Sequence, residues 1–462
     1  MVLPLALKLF ALLVFFLVNT VNIVAIVLAA RTMLLFGGRE RTLSETVLTR
    51  AEAYLPVSFL IPAYNEEATI VSSLKSLLAM HYPEFEVIVA NDGSKDATLA
   101  VLTGAFELVR AEPSPRRFAP HADVRAAYRS RSYPDLLVVD KANGGRADAL
   151  NAALEQARYP LVVLTDADSL IDPAALMKIG ARFMDAPELR GVGGTIRVVN
   201  EADVVGGAVT RPRSPRNFIA RWQQLEYIRA FMAARTAMSA AGCLISISGA
   251  FGIFRRASLI EVGGLRVDTV GEDLELTFRL HRHYRDRHEA YRLEFLPEPV
   301  CWTQVPETAK VLGGQRDRWH RGLWETLWRH RDMLFRPRYG RIGLVAVPYV
   351  WLVEGITPIM EVLGYLIILV LAILGALDAA FVLAFLGLTV FYGMVVGLAS
   401  AALDQALPHS PRGAGDRYRL MVAILTENLG YRQWLAVVRV IAMFKIRSSR
   451  GKWGVMTRRG FE

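Results

Sequence analysis

Cysteine is scarce in this chain of 462 residues, which has two, Cys243 and Cys301. Their separation does not match the close spacing of a metal-ligand motif, and a disulfide framework needs more cysteines than two. The sequence therefore does not belong to the disulfide-stabilised secreted class, and a reducing compartment is the simplest interpretation.

Nucleic-acid-binding motifs are also lacking, although the charge alone would permit such a function. The formal net charge is +10 and the pI is about 9.7. A basic balance suits an anionic partner, and a membrane surface, a nucleic acid or a phosphate-bearing substrate can each provide one. Without a motif, we expect no nucleic acid among the partners.

Long uncharged apolar runs are absent from residues 42–340, although 53% of the whole chain is hydrophobic. Before this polar body lies Leu9–Ala30, a run of 22 uncharged residues. It is long enough to cross a bilayer at about 1.5 Å per residue, and longer than the roughly 7–15 apolar residues of a typical signal peptide. It predicts a spanning helix.

Two more apolar zones follow the polar body. Ile342–Leu377 contains Glu354 and Glu361 and is too long for one straight span. We predict a surface or re-entrant piece followed by a span over residues 358–377. Ala379–Leu403 is uncharged throughout and predicts a return across the membrane.

The last apolar zone, Leu420–Phe444, contains charged residues and precedes a basic tail. As an interfacial amphipathic helix, it would leave this tail on the same side as Arg31, Arg39 and Arg41, in agreement with the positive-inside rule. We therefore predict three spans with the polar body and the tail in the cytoplasm and the N-terminus outside. A fourth span at this zone is the alternative.

These patterns predict four regions. They are an N-terminal transmembrane helix (1–41), a cytosolic domain (42–340) with interfacial helices near 217–236 and 308–335, transmembrane helices (341–404), and an interfacial helix with a basic tail (405–462).

Short apolar strands alternate with helical segments in the polar body. The strand-like runs are Leu55–Ile61, Phe85–Ala90, Leu136–Val139 and Leu161–Leu164, and the helical segments are Glu66–Met80 and Gly145–Ala157. This alternation predicts an α/β domain with a parallel sheet, in which ligands bind at the carboxyl ends of the strands. Ala111–Pro134, rich in Arg and Pro, is predicted to be a solvated insertion.

Aspartates follow three of these strands, at Asp92, Asp140 and Asp166. One such residue would be a loop cap, but three in order predict a site. Asp166 and Asp168 are two positions apart, and their oxygens suit a hard cation such as Mg²⁺ or Mn²⁺. An ordinary turn is the alternative for this pair, as it is for Asp92 in Asn91-Asp92-Gly93.

Lys141 and Arg146 flank two adjacent glycines before a helix, which predicts a pyrophosphate cradle, with a glycine turn as the alternative. Gly271-Glu272-Asp273 also precedes a helix, where acidic residues serve either as dipole partners or as a general base. Gln315-x-x-Arg318-Trp319 lies on a basic, Trp-rich helix that suits both a membrane surface and a substrate.

Taken in order, these motifs resemble the inverting family 2 glycosyltransferases, the group that contains hyaluronan, cellulose, chitin and poly-N-acetylglucosamine synthases. The resemblance runs from about Val57 to Trp319. The motifs that carry it are Ile61-Pro62-Ala63-Tyr64-Asn65-Glu66-Glu67, Asp92-Gly93-Ser94, Lys141 with Gly145-Arg146, Asp166-Ala167-Asp168, Gly271-Glu272-Asp273 and Gln315-x-x-Arg318-Trp319.

The resemblance implies a GT-A (Rossmann-like) fold, a UDP-sugar donor and Mg²⁺ or Mn²⁺ as cofactor. It implies that Asp166 and Asp168 hold the metal and that Asp273, with Glu272 beside it, is the catalytic base. The residues that it implies for substrate binding are Asn65, Glu67, Asp92, Lys141, Gly145, Arg146, Asp166, Gln315, Arg318, Trp319 and Trp453, the last on a segment that resembles a gating loop.

The leading hypothesis is processive transfer of sugar to a growing β-linked polysaccharide by a multi-pass protein of the inner (plasma) membrane. The alternative is transfer of a single sugar to a membrane lipid, and a third class is a catalytically silent scaffold. The expected partners are the donor, a glycan or lipid acceptor and the bilayer. Three spans make a poor channel unless interfacial helices or a second protomer complete it, which leaves a homo-oligomer open.

Overall fold

The computed structural model describes residues 2–49, 54–80, 82–205, 208–407 and 410–445. Its polar body is built on one large sheet. The strands are β1 Val57–Ala63, β2 Phe85–Asn91, β3 Leu108–Ala111, β4 Val124–Ser130, β5 Leu136–Lys141, β6 Leu161–Thr165, β7 Leu170–Ile171, β8 Leu189–Val198, β9 Asp203–Val205, β10 Ala208–Arg211, β11 Phe251–Arg255 and β12 Arg292–Thr303. Ten of them form a sheet in the order β3-β4-β5-β2-β1-β6-β11-β8-β12-β7, and β9 pairs with β10 separately.

The centre of the sheet is parallel, as the sequence predicts. β5, β2, β1 and β6 run side by side in one direction, with Ala63 opposite Asn91 and Asn91 opposite Asp140. Their near-continuous apolar residues are buried on both faces, which is typical of parallel strands covered by helices. Because the strands end in register, the polar residues that follow them meet at one edge.

The other half of the sheet was not predicted. β11 runs antiparallel between β6 and β8, and β12 pairs in parallel with β8. The prediction of a solvated insertion at 111–134 is wrong in part, because β4 pairs antiparallel with β5 within the sheet. Ala126, Ala127 and Ser130 of β4 are buried, while Arg125 and Arg129 are exposed. The strand therefore packs its small residues into the protein and presents its arginines to solvent.

Helices cover the sheet and form the apolar regions. They are α1 Val2–Thr49, α2 Ile70–Leu78, α3 Thr98–Phe106, α4 Arg146–Gln156, α5 Pro173–Asp185, α6 Phe218–Ile228, α7 Thr236–Ala240, α8 Arg256–Glu261, α9 Glu272–Asp286, α10 Ala309–Arg329, α11 Val347–Tyr349, α12 Thr357–Ile373, α13 Ala379–Leu386, α14 Tyr392–Gln405, α15 Ala414–Thr426 and α16 Arg432–Phe444. π-Helical turns at Arg229–Arg235, Ile342–Ala346, Val350–Ile356, Gly387–Phe391 and Glu427–Tyr431 join several of them, and 3₁₀ turns lie at Arg331–Met333 and Pro337–Tyr339.

Three helical segments among the described residues are long and apolar enough to cross a membrane: Leu5–Leu34, Ile342–Ile373 and Ala379–Gln405. Their number agrees with the sequence prediction. The predicted division into a surface or re-entrant piece and a separate span over 358–377 is wrong, because helical residues continue without interruption from 342 to 373. Pro348 and Pro358 each lie within two residues of the end of a π-helical turn, where the regular hydrogen-bond ladder of the α-helix is already interrupted.

Two boundaries differ from the prediction. The N-terminal helix α1 continues to Thr49, beyond the predicted end at 41. The zone 420–444 is a helix pair, α15 and α16, interrupted at Leu429 and Gly430, where Gly430 has a φ of 114°. Tyr431 and Leu435, at the start of the second helix, pack on Leu312 of α10, so this pair is docked on the polar body.

Candidate active site

A cavity of about 1270 Å³ begins at the carboxyl ends of the parallel strands and continues to the membrane-type helices. Most of the sequence-predicted site residues line it: Asn65, Asp92, Gly145, Arg146, Asp166, Asp168, Glu272, Asp273, Gln315, Arg318 and Trp319. Glu67 and Lys141 are not among the lining residues: Glu67 is exposed and Lys141 is fully buried. Trp453 lies outside the described residues.

The guanidinium of Arg146 connects three parts of the site. Its Nε donates to Oδ1 of Asp166 at 2.8 Å, and its Nη1 donates to Oε1 of Glu272 at 2.7 Å. Its Nη2 donates to the carbonyl of Gly249 at 2.7 Å. Arg146 therefore holds the loop after β6, the start of α9 and the loop before β11 in one arrangement.

Asp166 and Asp168 extend from the end of β6. Burial, and then the charge of Asp166, raise the pKa of Asp168 above its ordinary value. Two adjacent carboxylates in a poorly solvated position carry full charge together more easily when a cation lies between them. In the described ranges, no three His, Cys, Asp or Glu side chains converge on one point. A pair of carboxylates still fits Mg²⁺ or Mn²⁺, because such ions commonly combine one or two carboxylates with substrate phosphates.

Asp273 and Glu272 begin α9 but differ in their surroundings. Glu272 is buried, and burial raises its pKa while the neighbouring Arg146 opposes that shift. Asp273 lines the cavity, and its Oδ2 accepts the N–H of Gly249 at 2.9 Å. Since Glu272 is held by Arg146, Asp273 is the better placed of the two to meet a substrate hydroxyl.

The predicted pyrophosphate cradle holds a carboxylate of the chain itself. The N–H groups of Gly144 and Gly145 donate to Asp92 Oδ1 at 2.9 Å and Asp92 Oδ2 at 2.7 Å. Lys141 is fully buried, with its Nζ 2.6 Å from Asp92 Oδ1, and it also pairs with Asp148. The geometry does not support direct phosphate binding by Lys141 and Gly145. The loops after β2 and β5 are adjacent, and the hydrogen-bond donors of the second loop are already used by the Asp92 carboxylate of the first.

Asn65 and Glu67 join the loops after β1 and β2. Asn65, which has a φ of 56°, accepts the N–H of Lys95 at 2.8 Å, and Glu67 accepts the N–H of Ala97 at 2.8 Å. Both side chains shape the rim of the site.

Helix α10 carries Gln315, Arg318 and Trp319 to the cavity. Burial lowers the pKa of Arg318, and the charges of Glu272 and Asp166 oppose this shift. The helix approaches the start of α9 closely, because a Cβ on Gly322 would lie 2.7 Å from the backbone of Gly271. Glu325 accepts the hydroxyl of Thr269 at 2.8 Å and fixes the same loop.

Several residues that line the cavity were not predicted from the sequence, among them Gly249, Arg235 and Glu226. Gly249 precedes β11, a strand that was not predicted, and a Ser-Gly pair before an apolar run was the only available signal. Arg235 and Glu226 lie in the segment interpreted as an interfacial helix at 217–236, where charged residues are expected without any role in a site.

Polar and charged side chains line part of the cavity between the membrane-type helices. Asn22 of α1, Glu354 and Glu361 line it together with Arg432 of α16. Arg432 donates to Glu361 at 2.7 Å, which joins α16 to the second candidate span. Charged side chains on apolar helices are costly and commonly mark a substrate path.

The sequence matches known protein families over much of its length. Residues 58–260 match glycosyl transferase family 2, and residues 161–396, about half of the chain, match glycosyl transferase family group 2. Poly-beta-1,6-N-acetyl-D-glucosamine synthase of Staphylococcus epidermidis is 30% identical over 294 residues, 63% of this chain and 60% of that protein. The Staphylococcus aureus (strain COL) synthase of the same name is 30% identical over 59% of this chain and 56% of its own. The chain thus spans about 60% of the length of these relatives.

Among solved structures, a mannosyltransferase from Pyrobaculum calidifontis, in complex with GDP-Man and Mn²⁺, has a similar fold. The TM-score is 0.52 at 20% identity, covering 90% of this chain and 99% of that one. This likeness concerns the fold alone, and it confirms the predicted GT-A architecture.

Proposed function

The chain belongs to the family 2 glycosyl transferases, and we propose that it transfers sugar from a UDP-sugar to a growing β-linked polysaccharide at a membrane. The observation that carries this proposal is the single cavity that joins the carboxylates at the strand ends to the space between the membrane-type helices. A chain that is extended at one end of such a cavity can pass along the other.

In this proposal Asp273 accepts the proton of the acceptor hydroxyl, which then attacks the anomeric carbon directly and inverts its configuration. Asp166 and Asp168 would hold the divalent ion, and the chemistry that a bound ion would supply there is positive charge against the diphosphate of the leaving UDP. Arg318 and Gln315 on α10 face the same space and stabilise that leaving group by charge and hydrogen bonding.

Several site residues act indirectly. Lys141 and Gly145 keep Asp92 in place, and Asp92 bounds the pocket for the nucleoside. Arg146 sets the positions of Asp166 and Glu272, as its hydrogen bonds indicate. Trp319 offers an aromatic surface to the acceptor sugar, since its side chain lines the cavity and is 43% exposed.

A glycan acceptor is favoured over a lipid because several polar and charged side chains line the membrane half of the cavity. Asn22, Glu354 and the Glu361–Arg432 ion pair offer hydrogen-bonding groups that suit sugar hydroxyls, whereas an acyl chain would form no hydrogen bonds with them. The names of the Staphylococcus relatives make N-acetylglucosamine the first sugar to test.

We further propose that the protein lies in the plasma membrane with its polar body in the cytoplasm. The basic residues that follow the first apolar run support this orientation. A lid that includes Trp453 and a homo-oligomeric state stay predictions from the sequence.

The test is a donor screen with the protein in lipid nanodiscs. UDP release is measured with UDP-N-acetylglucosamine, UDP-glucose, UDP-galactose and UDP-glucuronate, with and without Mn²⁺, and products are separated by size. We expect Mn²⁺-dependent release with one donor and a ladder of oligomers. A single glycolipid product would favour the lipid-acceptor alternative, and no release with any donor would contradict the proposed function.

A further inference from the structure

One face of the Trp319 indole is covered by a cation from the same helix. The guanidinium of Arg316 lies 4.2 Å from the ring centroid. Arg316 is buried, whereas Trp319 is nearly half exposed and lines the cavity. The remaining face and edge of the indole are therefore the parts that a ligand can reach.

Arg316 is itself held by a carboxylate from another helix. Its Nη2 donates to Oε2 of Glu226 on α6 at 2.5 Å. The hydroxyl of Tyr431 donates to the same oxygen at 3.0 Å, and Arg439 lies 3.9 Å from the other oxygen. Arg316 thus contacts both the Glu226 carboxylate and the Trp319 indole, and Glu226 limits where its guanidinium can lie.

The backbone of α10 does not depend on this contact. Gly322 packs against Gly271, and Glu325 holds the loop at Thr269. Leu312 is packed against the start of α16. Loss of the Glu226 carboxylate would therefore alter the side chains of Arg316 and Trp319 more than the path of the helix.

We propose that Glu226 is a positioning residue for the acceptor sugar, because it holds Arg316 against Trp319 and so fixes the aromatic surface on which that sugar stacks. This inference rests on the proposed function. Without Glu226, Arg316 becomes a buried cation without its carboxylate and turns toward water or another acidic residue in the cavity. The indole then loses the neighbour that limits its rotamers.

The inference predicts a selective effect on the acceptor. Glu226→Gln removes the negative charge that pairs with Arg316. Arg316→Lys keeps a positive charge that can pair with Glu226 but removes the planar guanidinium that stacks on the indole. For both variants we expect the KM for a short β-1,6-linked N-acetylglucosamine oligomer to rise roughly three- to tenfold. The affinity for UDP and the KM for UDP-N-acetylglucosamine are expected to stay within about twofold, because the proposal places Trp319 against the acceptor sugar and not against the donor.

The matched control is Glu294→Gln on β12, which removes a carboxylate that pairs with Arg182 and Arg292 away from the cavity. It is expected to leave both KM values unchanged. Melting temperatures of all variants are recorded. If Glu226→Gln does not fold, the inference is judged on Arg316→Lys, which should raise the acceptor KM and leave the UDP affinity unchanged.

Three outcomes overturn the inference. An unchanged acceptor KM in the folded variants contradicts it directly. A parallel loss of UDP affinity and acceptor affinity indicates a general structural role for Glu226. If the wild-type protein transfers no sugar from any donor of the screen, the proposed function fails first and the inference falls with it.

Discussion

Nε of Arg146 lies 2.8 Å from Oδ1 of Asp166, so a residue at the start of α4 fixes a carboxylate beyond the end of β6. The same guanidinium reaches Glu272, next to the proposed base, and the carbonyl of Gly249. The proposed metal ligand and the proposed base are therefore positioned by one side chain with three directed hydrogen bonds.

Arg146→Lys is expected to lower kcat/KM by roughly 10- to 100-fold, because an ammonium group cannot serve three acceptors in these fixed directions. Direct Mn²⁺ binding, followed by electron paramagnetic resonance, should weaken as well. Arg158→Lys is the control, since Arg158 is on the surface beside Asp135. If kcat/KM of Arg146→Lys stayed within twofold of the wild type, the three hydrogen bonds of Arg146 would not be needed for catalysis.

Mn²⁺ binding is expected to depend on pH. Because burial and Asp166 raise the pKa of Asp168, this carboxylate takes up a proton at a higher pH than an exposed aspartate does. A proton on Asp168 competes with the cation, so the apparent Kd for Mn²⁺ should rise as the pH falls through the raised pKa. Mn²⁺ titrations between pH 8 and pH 5 check this, and a constant Kd over that range would be inconsistent with metal binding by Asp168.

Lys141→Met is expected to destabilise the protein by about 3–5 kcal/mol, because it leaves Asp92 and Asp148 as buried carboxylates without their cation. Urea unfolding monitored by fluorescence measures the loss. Lys75→Met, at an exposed position of α2, is the control. Equal stability of the two variants would mean that Lys141 is not needed to hold Asp92.

Gly322→Ala tests the close approach of α10 to the start of α9. The added Cβ would lie 2.7 Å from the backbone of Gly271, and we expect a loss of about 1–3 kcal/mol of stability together with reduced turnover. Gly314→Ala on the same helix meets no atom within 4 Å and should be neutral or slightly stabilising. If both variants behave alike, the contact does not position Gly271-Glu272-Asp273.

The centre of the sheet was predictable because each parallel strand is a short apolar run followed by a polar residue. Asp166 and Asp168 could be placed at a strand end for the same reason. The misinterpretation of the pyrophosphate cradle has a physical cause. Gly145 donates to Asp92, which is 53 positions away, and sequence patterns do not reveal which of two neighbouring loops satisfies the other.

The membrane half of the cavity was not predictable for a similar reason. Glu361 was visible only as a charge that interrupts an apolar zone, and Arg432 only as one of the charged residues in the last apolar zone. Their ion pair joins residues 71 positions apart and depends on the docking of α16. Arg146 and Glu272, 126 positions apart, were both predicted as site residues, but their contact was not.

The most direct test of the central claim compares the wild-type protein with Asp273→Asn. Both are reconstituted in lipid nanodiscs and assayed with Mn²⁺ and the donor found by the screen. Both should bind UDP with similar affinity, since Asp273 is proposed to act on the acceptor. The wild type should produce β-linked oligomers, while the variant should produce them at least about 100-fold more slowly. Equal turnover by the two proteins would contradict the assignment of Asp273 as the base of a family 2 transfer reaction at this site.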